Sequence, residues 1–324
     1  MTHGNGTEVT DFFLLGFSAQ HRFWHVLFIV FLLIYLTSMV GNIGMILLIK
    51  ADFRCQTPMY FFLQYLAFVD ICYTSAITPK TLQNIISENK SISFMGCMMQ
   101  LWVYAKFATN DHYLLAAMAM DHYEAIYNPL HYSTVMSQTV CILLVAGSYV
   151  IGSVNSSVHT GLTFSLYICK SHIINHFYDA PQILAFSCSD IGTNIMLLVV
   201  FVGFNLMFNM SVVIFSYIYI LSAILKMSST AGREKSFLTC ASHLTAVTVF
   251  YGTLSYMYLQ PHSNNYQNMK FASIFYGIVI LMLNPLIYSL RNKEVKEALK
   301  VIQKKFFLIG PKLLNSANQS IQYM

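Results

Sequence analysis

Charged residues are scarce in this chain. They make up 10% of its 324 residues, against 56% hydrophobic and 15% aromatic. A soluble domain carries roughly 25% charged residues, so this chain cannot cover a globule with charge. Residues 23–49, 191–225, 236–269 and 271–290 hold no Asp, Glu, Lys or Arg. Each run is long enough for a helix of roughly 20 residues to cross the hydrocarbon core of a bilayer. The runs also lack the polar stripes at helical spacing by which a soluble helix meets water. A basic, cleavable leader is missing too: residues 1–22 are polar and mildly acidic, with Glu8 and Asp11. The first apolar span is therefore expected to act as its own targeting signal. No internal repeat is visible, which removes support for a transporter built from inverted halves. There is no phosphate-cradling glycine loop, no zinc-binding His-Glu-x-x-His and no nucleophile elbow, so no enzyme is expected. The 11 histidines are scattered. His172 and His176 form a weak pair that chelates a metal only if their segment is helical.

What is present is a series of seven apolar segments, at 23–49, 58–79, 97–121, 140–160, 194–226, 236–260 and 271–290. Lys and Arg orient them, because loops rich in these residues stay cytoplasmic. With the N-terminus outside, the inner side holds Lys50, Arg54, Lys226, Arg233, Lys235 and the basic tail from Arg291 to Lys312. The outer side holds only Arg22, Lys80, Lys90, Lys170 and Lys270. The expected layout is an extracellular segment 1–22, a transmembrane domain 23–291 and a cytoplasmic helix and tail 292–324. The net charge of +5 then reports membrane orientation and not a nucleic-acid partner. The sequon at Asn5-Gly6-Thr7 falls on the outer side, as glycosylation requires.

The motifs make this more specific. Met118-Ala119-Met120-Asp121-His122-Tyr123-Glu124-Ala125-Ile126 resembles the M-A-Y-D-R-Y-V-A-I signature of odorant receptors, with histidine in place of arginine. Gly41-Asn42, Thr57-Pro58-Met59-Tyr60-Phe61-Phe62-Leu63, Asn128-Pro129-Leu130-His131-Tyr132 and Ser216-Tyr217-Ile218 resemble the same family. So do Lys235-Ser236-Phe237-Leu238-Thr239-Cys240-Ala241-Ser242-His243-Leu244 and Asn284-Pro285-Leu286-Ile287-Tyr288-Ser289-Leu290-Arg291-Asn292. The resemblance runs from about Glu8 to Val301. It implies an all-α, seven-helix, rhodopsin-like receptor at the plasma membrane with a short amphipathic helix after the seventh span. It further implies a small volatile odorant as ligand and a heterotrimeric stimulatory G protein, acting through cyclic AMP, as partner.

Candidate residues follow. Asp70 and Asp111 are ionisable groups inside spans, costly unless they face a polar cavity. In the family the matching carboxylates approach one another and can hold a sodium ion, here with Asn284 nearby. Hydrogen bonds to neighbouring helices are the plainer alternative. Residues four apart share a helix face, so Tyr104 and Ala108, with Thr109 beside them, are expected to line a ligand cavity. Phe201 and Asn205 would face it from the fifth span, Tyr251, Ser255 and Tyr258 from the sixth, and Ile274 and Gly277 from the seventh. Ordinary helix packing accounts for each of these positions equally well. Lys106 is a cation deep in a span; it reaches a polar group or the lipid interface, or meets an acidic ligand. At the inner end the resemblance assigns coupling and switching to Asp121, His122, Tyr123, Tyr217, Lys235, His243, Asn284, Pro285 and Tyr288. The inner loop 227–233 and the basic helix after Asn292 would complete a surface for G protein and lipid headgroups.

Three departures from the family bear on activity. His122 is shorter than arginine and lacks its permanent charge and planar fork, which should weaken pairing with Asp121 and reach toward Tyr217. Glu124 adds a negative charge beside it. The second outer loop lacks one family cysteine, the expected partner of Cys97. Cys97, Cys169 and Cys188 alone face outward, so at most one bridge forms, either Cys169–Cys188 or Cys97 with one of them. Cys55, Cys72, Cys141 and Cys240 should be free thiols. Leu281 replaces a family proline in the seventh span, while Pro285 remains. These departures keep a second reading open, a decayed or non-signalling homologue.

Overall fold

A computed structural model describes residues 11–14, 24–87, 91–166, 173–174, 191–259 and 280–291. It is a helical bundle. In chain order the helices are α1 (Trp24–Ala51), α2 (Pro58–Ile86), α3 (Phe94–Tyr127), the one-turn α4 (Tyr132–Val135), α5 (Gln138–Phe164), α6 (Gly192–Lys226), α7 (Thr230–Leu259) and α8 (Ile280–Arg291). All but α4 fall on the seven expected spans. Of the described helices, α1, α2, α5, α6 and α7 are long and apolar enough to cross a membrane. α3 is more polar because it occupies the centre, packed against α2, α5, α6 and α7. Its buried residues include Thr109, Asn110, Asp111, Asp121 and His122. α1 and α6 instead expose Leu33, Leu47, Phe204 and Met207, a surface suited to lipid and a liability in water.

The helices outrun the apolar segments, and local chemistry explains where. α2 continues past Pro79 to Ile86. The carbonyls loosened around this proline find side-chain donors: Gln100 of α3 gives its Nε2 to the Ala76 carbonyl at 2.6 Å, and Thr81 its hydroxyl to Ile77 at 3.0 Å. Such substitutes are what allow proline inside a membrane helix. α3 starts at Phe94 because Ser93 caps it, its Oγ accepting the Gly96 N–H at 3.2 Å. Ser229 does the same for α7, its Oγ accepting from Gly232 at 3.2 Å and its carbonyl from Arg233 at 3.0 Å. The expected inner loop 227–233 therefore shrinks to 227–229, and Arg233 belongs to the first turn of α7.

Two glycines permit close contact between helices. A Cβ on Gly41 would stand 2.9 Å from Pro285 Cγ, so α1 and α8 meet there. A Cβ on Gly152 would stand 2.9 Å from the Lys106 carbonyl and collide with the Asn110 side chain. α5 thus lies directly on the α3 backbone. Short strands join the helices at the outer end: β1 (Asp11–Leu14) pairs antiparallel with β2 (Ser91–Ser93) and parallel with β3 (Ile173–Ile174). The core runs through the middle and inner halves, with Tyr60, Phe62, Leu66, Leu114, Leu115 and Met118 fully enclosed.

Candidate functional site

Three groups of side chains gather along α3, at its cytoplasmic end, its middle and its outer half. At the inner end, Asp121 does not pair with its neighbour. Its Oδ1 accepts the Tyr132 hydroxyl of α4 at 2.7 Å. Burial and the adjoining Asp121 carboxylate push the Tyr132 phenol up, so it remains a protonated donor. His122 turns inward, its Nδ1 lying 2.6 Å from the Met118 carbonyl. Its ring stacks on that of His243 with centroids 5.2 Å apart. The Tyr217 ring lies nearly parallel to that of His243, with centroids 5.8 Å apart. Tyr217 and His243 Nδ1 are 2.7 Å apart, and His243 Nε2 lies 3.1 Å from the Leu115 carbonyl.

The carbonyls fix the protons, because a carbonyl only accepts. His243 must carry its hydrogen on Nε2, leaving Nδ1 to accept from Tyr217. His122 must carry its hydrogen on Nδ1. The result is a chain from α6 through α7 to α3: Tyr217 O–H to His243 Nδ1, and His243 Nε2–H to Leu115. Tyr123 packs beside it, stacked on Tyr127 at 5.2 Å and tilted against Tyr219 at 5.8 Å. Glu124 accepts from Asn128 Nδ2 at 3.3 Å. The Lys235 side chain lies outside the described residues. The Asn128–Tyr132 motif did not disclose that Tyr132 is a partner of Asp121, nor that Leu130 is 91% exposed at the turn between α3 and α4. A cavity of about 660 Å³ opens nearby, with Lys50, Gln64, Tyr132, Ser133 and Cys141 in its wall.

In the middle, Asp70 of α2 and Asp111 of α3 are buried and near enough for their charges to interact. Asn284 of α8 donates its Nδ2 to Asp70 Oδ2 at 3.0 Å and Oδ1 at 3.3 Å. Among the described residues Asp111 Oδ1 has no hydrogen-bond partner, nor has the buried Tyr288 hydroxyl. Among the described residues no three His, Cys, Asp or Glu side chains gather as metal ligands. The donor set is two carboxylates and one amide, hard oxygen ligands that fit an alkali cation and not a transition metal.

The outer half corrects part of the expected ligand wall. Tyr104 and Ala108 do share a face, and that face packs on Tyr73 and Ile77 of α2. Thr109 points elsewhere: its hydroxyl accepts from Asn155 of α5 at 2.9 Å and donates to the Ala105 carbonyl at 2.8 Å. One residue is 100° of helix, enough to turn it from the cavity to the α3–α5 contact. Phe201 is 39% exposed and meets His159 of α5 edge-on at 6.0 Å, so it too faces α5. Asn205 accepts the Tyr113 hydroxyl at 2.7 Å and ties α6 to α3. Tyr251 is buried with its hydroxyl unpaired, edge-on to His112 at 5.9 Å. His112, one turn below Ala108, gives its Nδ1 to that residue's carbonyl at 2.6 Å and meets Phe250 at 4.9 Å. The continuation of the 104, 108 spacing to 112 would have found it. The Tyr258 side chain, Ile274 and Gly277 lie outside the described residues, as do Asn5, Cys169 and Cys188. Cys97 is buried and outside any disulfide; Cys55, Cys72, Cys141 and Cys240 are outside any disulfide as well.

Comparison with known proteins gives a consistent result. The family model described as olfactory receptor matches residues 31–305. Human olfactory receptor 5AK2 is 71% identical over 309 residues, 95% of this chain and 100% of its own length. Human olfactory receptor 5AK3 is 72% identical over 298 residues, covering 91% and 100%. Mouse olfactory receptor 5AP2 is 51% identical over 300 residues, covering 92% and 95%.

Proposed function

Because the chain belongs to the olfactory receptor family of multi-pass, non-enzymatic membrane receptors, we propose that it binds a small volatile molecule among α3, α6 and α7 and activates a stimulatory G protein. The observation that carries this reading is the Tyr217–His243–Leu115 chain, which ties together those same three helices. Leu115 lies three residues from His112 and His243 lies eight from Tyr251, about 4.5 and 12 Å along their helices. A ligand that wedges between the His112 and Tyr251 rings acts on the helices that the chain joins. Apolar and aromatic walls with a few polar atoms suit a small volatile compound held mainly by burial.

At the inner end the coupling surface consists of Asp121, His122 and Tyr123 with the basic start of α7, and Leu130 offers an exposed apolar anchor. Asp70, Asp111 and Asn284 would hold a sodium ion, which supplies the positive charge that two buried carboxylates otherwise lack. The test is cyclic AMP, normalised to surface receptor, with and without an odorant mixture, in cells with and without the stimulatory G protein. A G-protein-dependent rise is expected; a flat response at good surface levels would contradict the reading.

His122 favours a second reading, a receptor that folds without signalling. Its ring is directed into the bundle and not toward Asp121 or a cytoplasmic partner. A response in His122→Arg but not in the natural chain would establish it.

A further inference from the structure

The cavity of about 660 Å³ at the inner end stands apart from the odorant wall and from the Tyr217–His243–Leu115 chain. It lies where the last turn of α1, the first turns of α2 and α5, and α4 come together. Its volume falls within the roughly 300–1,000 Å³ of small-ligand sites. The basic residues place this end of the bundle on the cytoplasmic side. Lys50 is in the last turn of α1, and the charged residues Asp52 and Arg54 follow directly. The mouth is therefore level with the lipid headgroups and not with the hydrocarbon core.

The wall is built to receive negative charge. Lys50 supplies an ammonium, Gln56, Gln64 and Gln138 supply amides, and Thr57 and Ser137 supply hydroxyls. Among the described residues no Asp or Glu lines it. Asp121 stands behind Tyr132, its Oδ1 taken by that hydroxyl at 2.7 Å. Thr57 and Ser137 also precede α2 and α5, and neither turns its hydroxyl back to cap its helix. Two long helices thus begin in the wall and present the positive ends of their dipoles to it, which suits phosphate oxygens. The floor is apolar, with buried Ile49, Met136 and Cys141. The rim leads into lipid. Val40, Ile43, Leu47 and Lys50 recur at i, i+3, i+7 and i+10, one stripe of α1, and its three apolar members are exposed. On α5, Ile142 lies one turn from Gln138 on the same face and is exposed as well. Acyl chains that cover these residues end at Lys50 and Gln138.

We propose that this inner cavity binds the phosphate headgroup of an acidic phospholipid of the cytoplasmic leaflet. The Lys50 ammonium and the two helix ends meet the phosphate, and the glutamine amides meet the other headgroup oxygens. The acyl chains follow the exposed stripes of α1 and α5. Basic pockets between helices on the cytoplasmic side are places where such headgroups dock. The occupant touches Tyr132, Ser133 and Met136, and so braces the one-turn helix that holds Asp121. The site is separate from the odorant cavity and does not depend on it.

The test is native mass spectrometry of the purified full-length receptor in mild detergent. The probes are phosphatidylinositol, phosphatidylcholine of the same acyl chains, and inorganic phosphate. The natural chain is expected to retain phosphatidylinositol in preference to phosphatidylcholine. Lys50→Gln removes the ammonium and should weaken that retention about tenfold, the lower end for a hydrogen bond to a charged group. Gln138→Glu puts a carboxylate in the wall and should weaken it as much. A negative charge at the start of α5 favours the helix, so this variant should keep its fold. Lys50→Arg should keep the binding. The basic tail attracts acidic lipid alike in every variant, so the difference between variants locates the site. Equal retention by the natural chain, Lys50→Gln and Gln138→Glu, or no preference for the acidic lipid, would overturn the proposal. Retention of inorganic phosphate without phosphatidylinositol would overturn it too, making the cavity a site for a soluble anion. Unfolding temperatures measured alongside separate loss of the site from loss of the fold.

Discussion

The bundle holds two buried polar clusters, and they solve the same problem differently. At the inner end, His122, His243 and Tyr217 are joined by ring contacts and by hydrogen bonds that run from donor to acceptor across three helices. In the middle, Asp70 and Asp111 are both acidic; among the described residues Asp70 has a polar partner from another helix, Asn284, and Asp111 Oδ1 has none. Unpaired polar atoms away from water are costly. The inner cluster is hydrogen-bonded without any ligand, whereas the proposed sodium ion would supply the middle cluster with the charge it lacks. The first can hold the resting bundle together; the second can report what occupies it.

Substitutions should separate the two. The largest effect is expected from His243→Ala, which removes the buried link between the Tyr217 hydroxyl and the Leu115 carbonyl and leaves a cavity between α3, α6 and α7. It should cost about 2–4 kcal/mol, seen as lower surface expression and a lower unfolding temperature. Tyr132→Phe removes the Tyr132 hydroxyl donor to Asp121 and should cost about 1.5–3 kcal/mol, the range for a hydrogen bond to a charged group. Since the Tyr132 phenol is pushed up by burial and by Asp121, this contribution should not change between pH 6 and 9 through ionisation of the tyrosine. Asp111→Asn should behave oppositely. By removing one of two repelling carboxylates it should leave stability unchanged or raise it by about 1 kcal/mol in sodium-free buffer. It should also abolish any sodium-dependent rise in unfolding temperature. Thr109→Ala, which breaks a contact to α5 outside both clusters, should cost least, about 0.5–1.5 kcal/mol.

Much of this arrangement was legible from residue types. The uncharged runs placed the spans, and the Asp121, His243 and Asn284 motifs pointed to the polar clusters. Helix ends were harder, because they depend on single side chains: Ser229 extends α7 and Gln100 supports α2 beyond Pro79. The ligand wall was only partly legible for a geometric reason. Spacing says which residues share a face but not which neighbour that face meets, so Thr109 and Phe201 were expected at the cavity and instead meet α5. Tyr132 could not be found by periodicity at all, since it reaches Asp121 from a separate one-turn helix.

The measurement closest to the central claim is nitrogen NMR of histidine-labelled receptor, with His122→Phe and His243→Phe used to assign the two rings. The inner cluster requires hydrogen on Nδ1 of His122, and on Nε2 but not Nδ1 of His243. Observing that pair would establish the hydrogen-bonded chain across α3, α6 and α7. A hydrogen on His243 Nδ1, whether as the other tautomer or as the imidazolium, would contradict it.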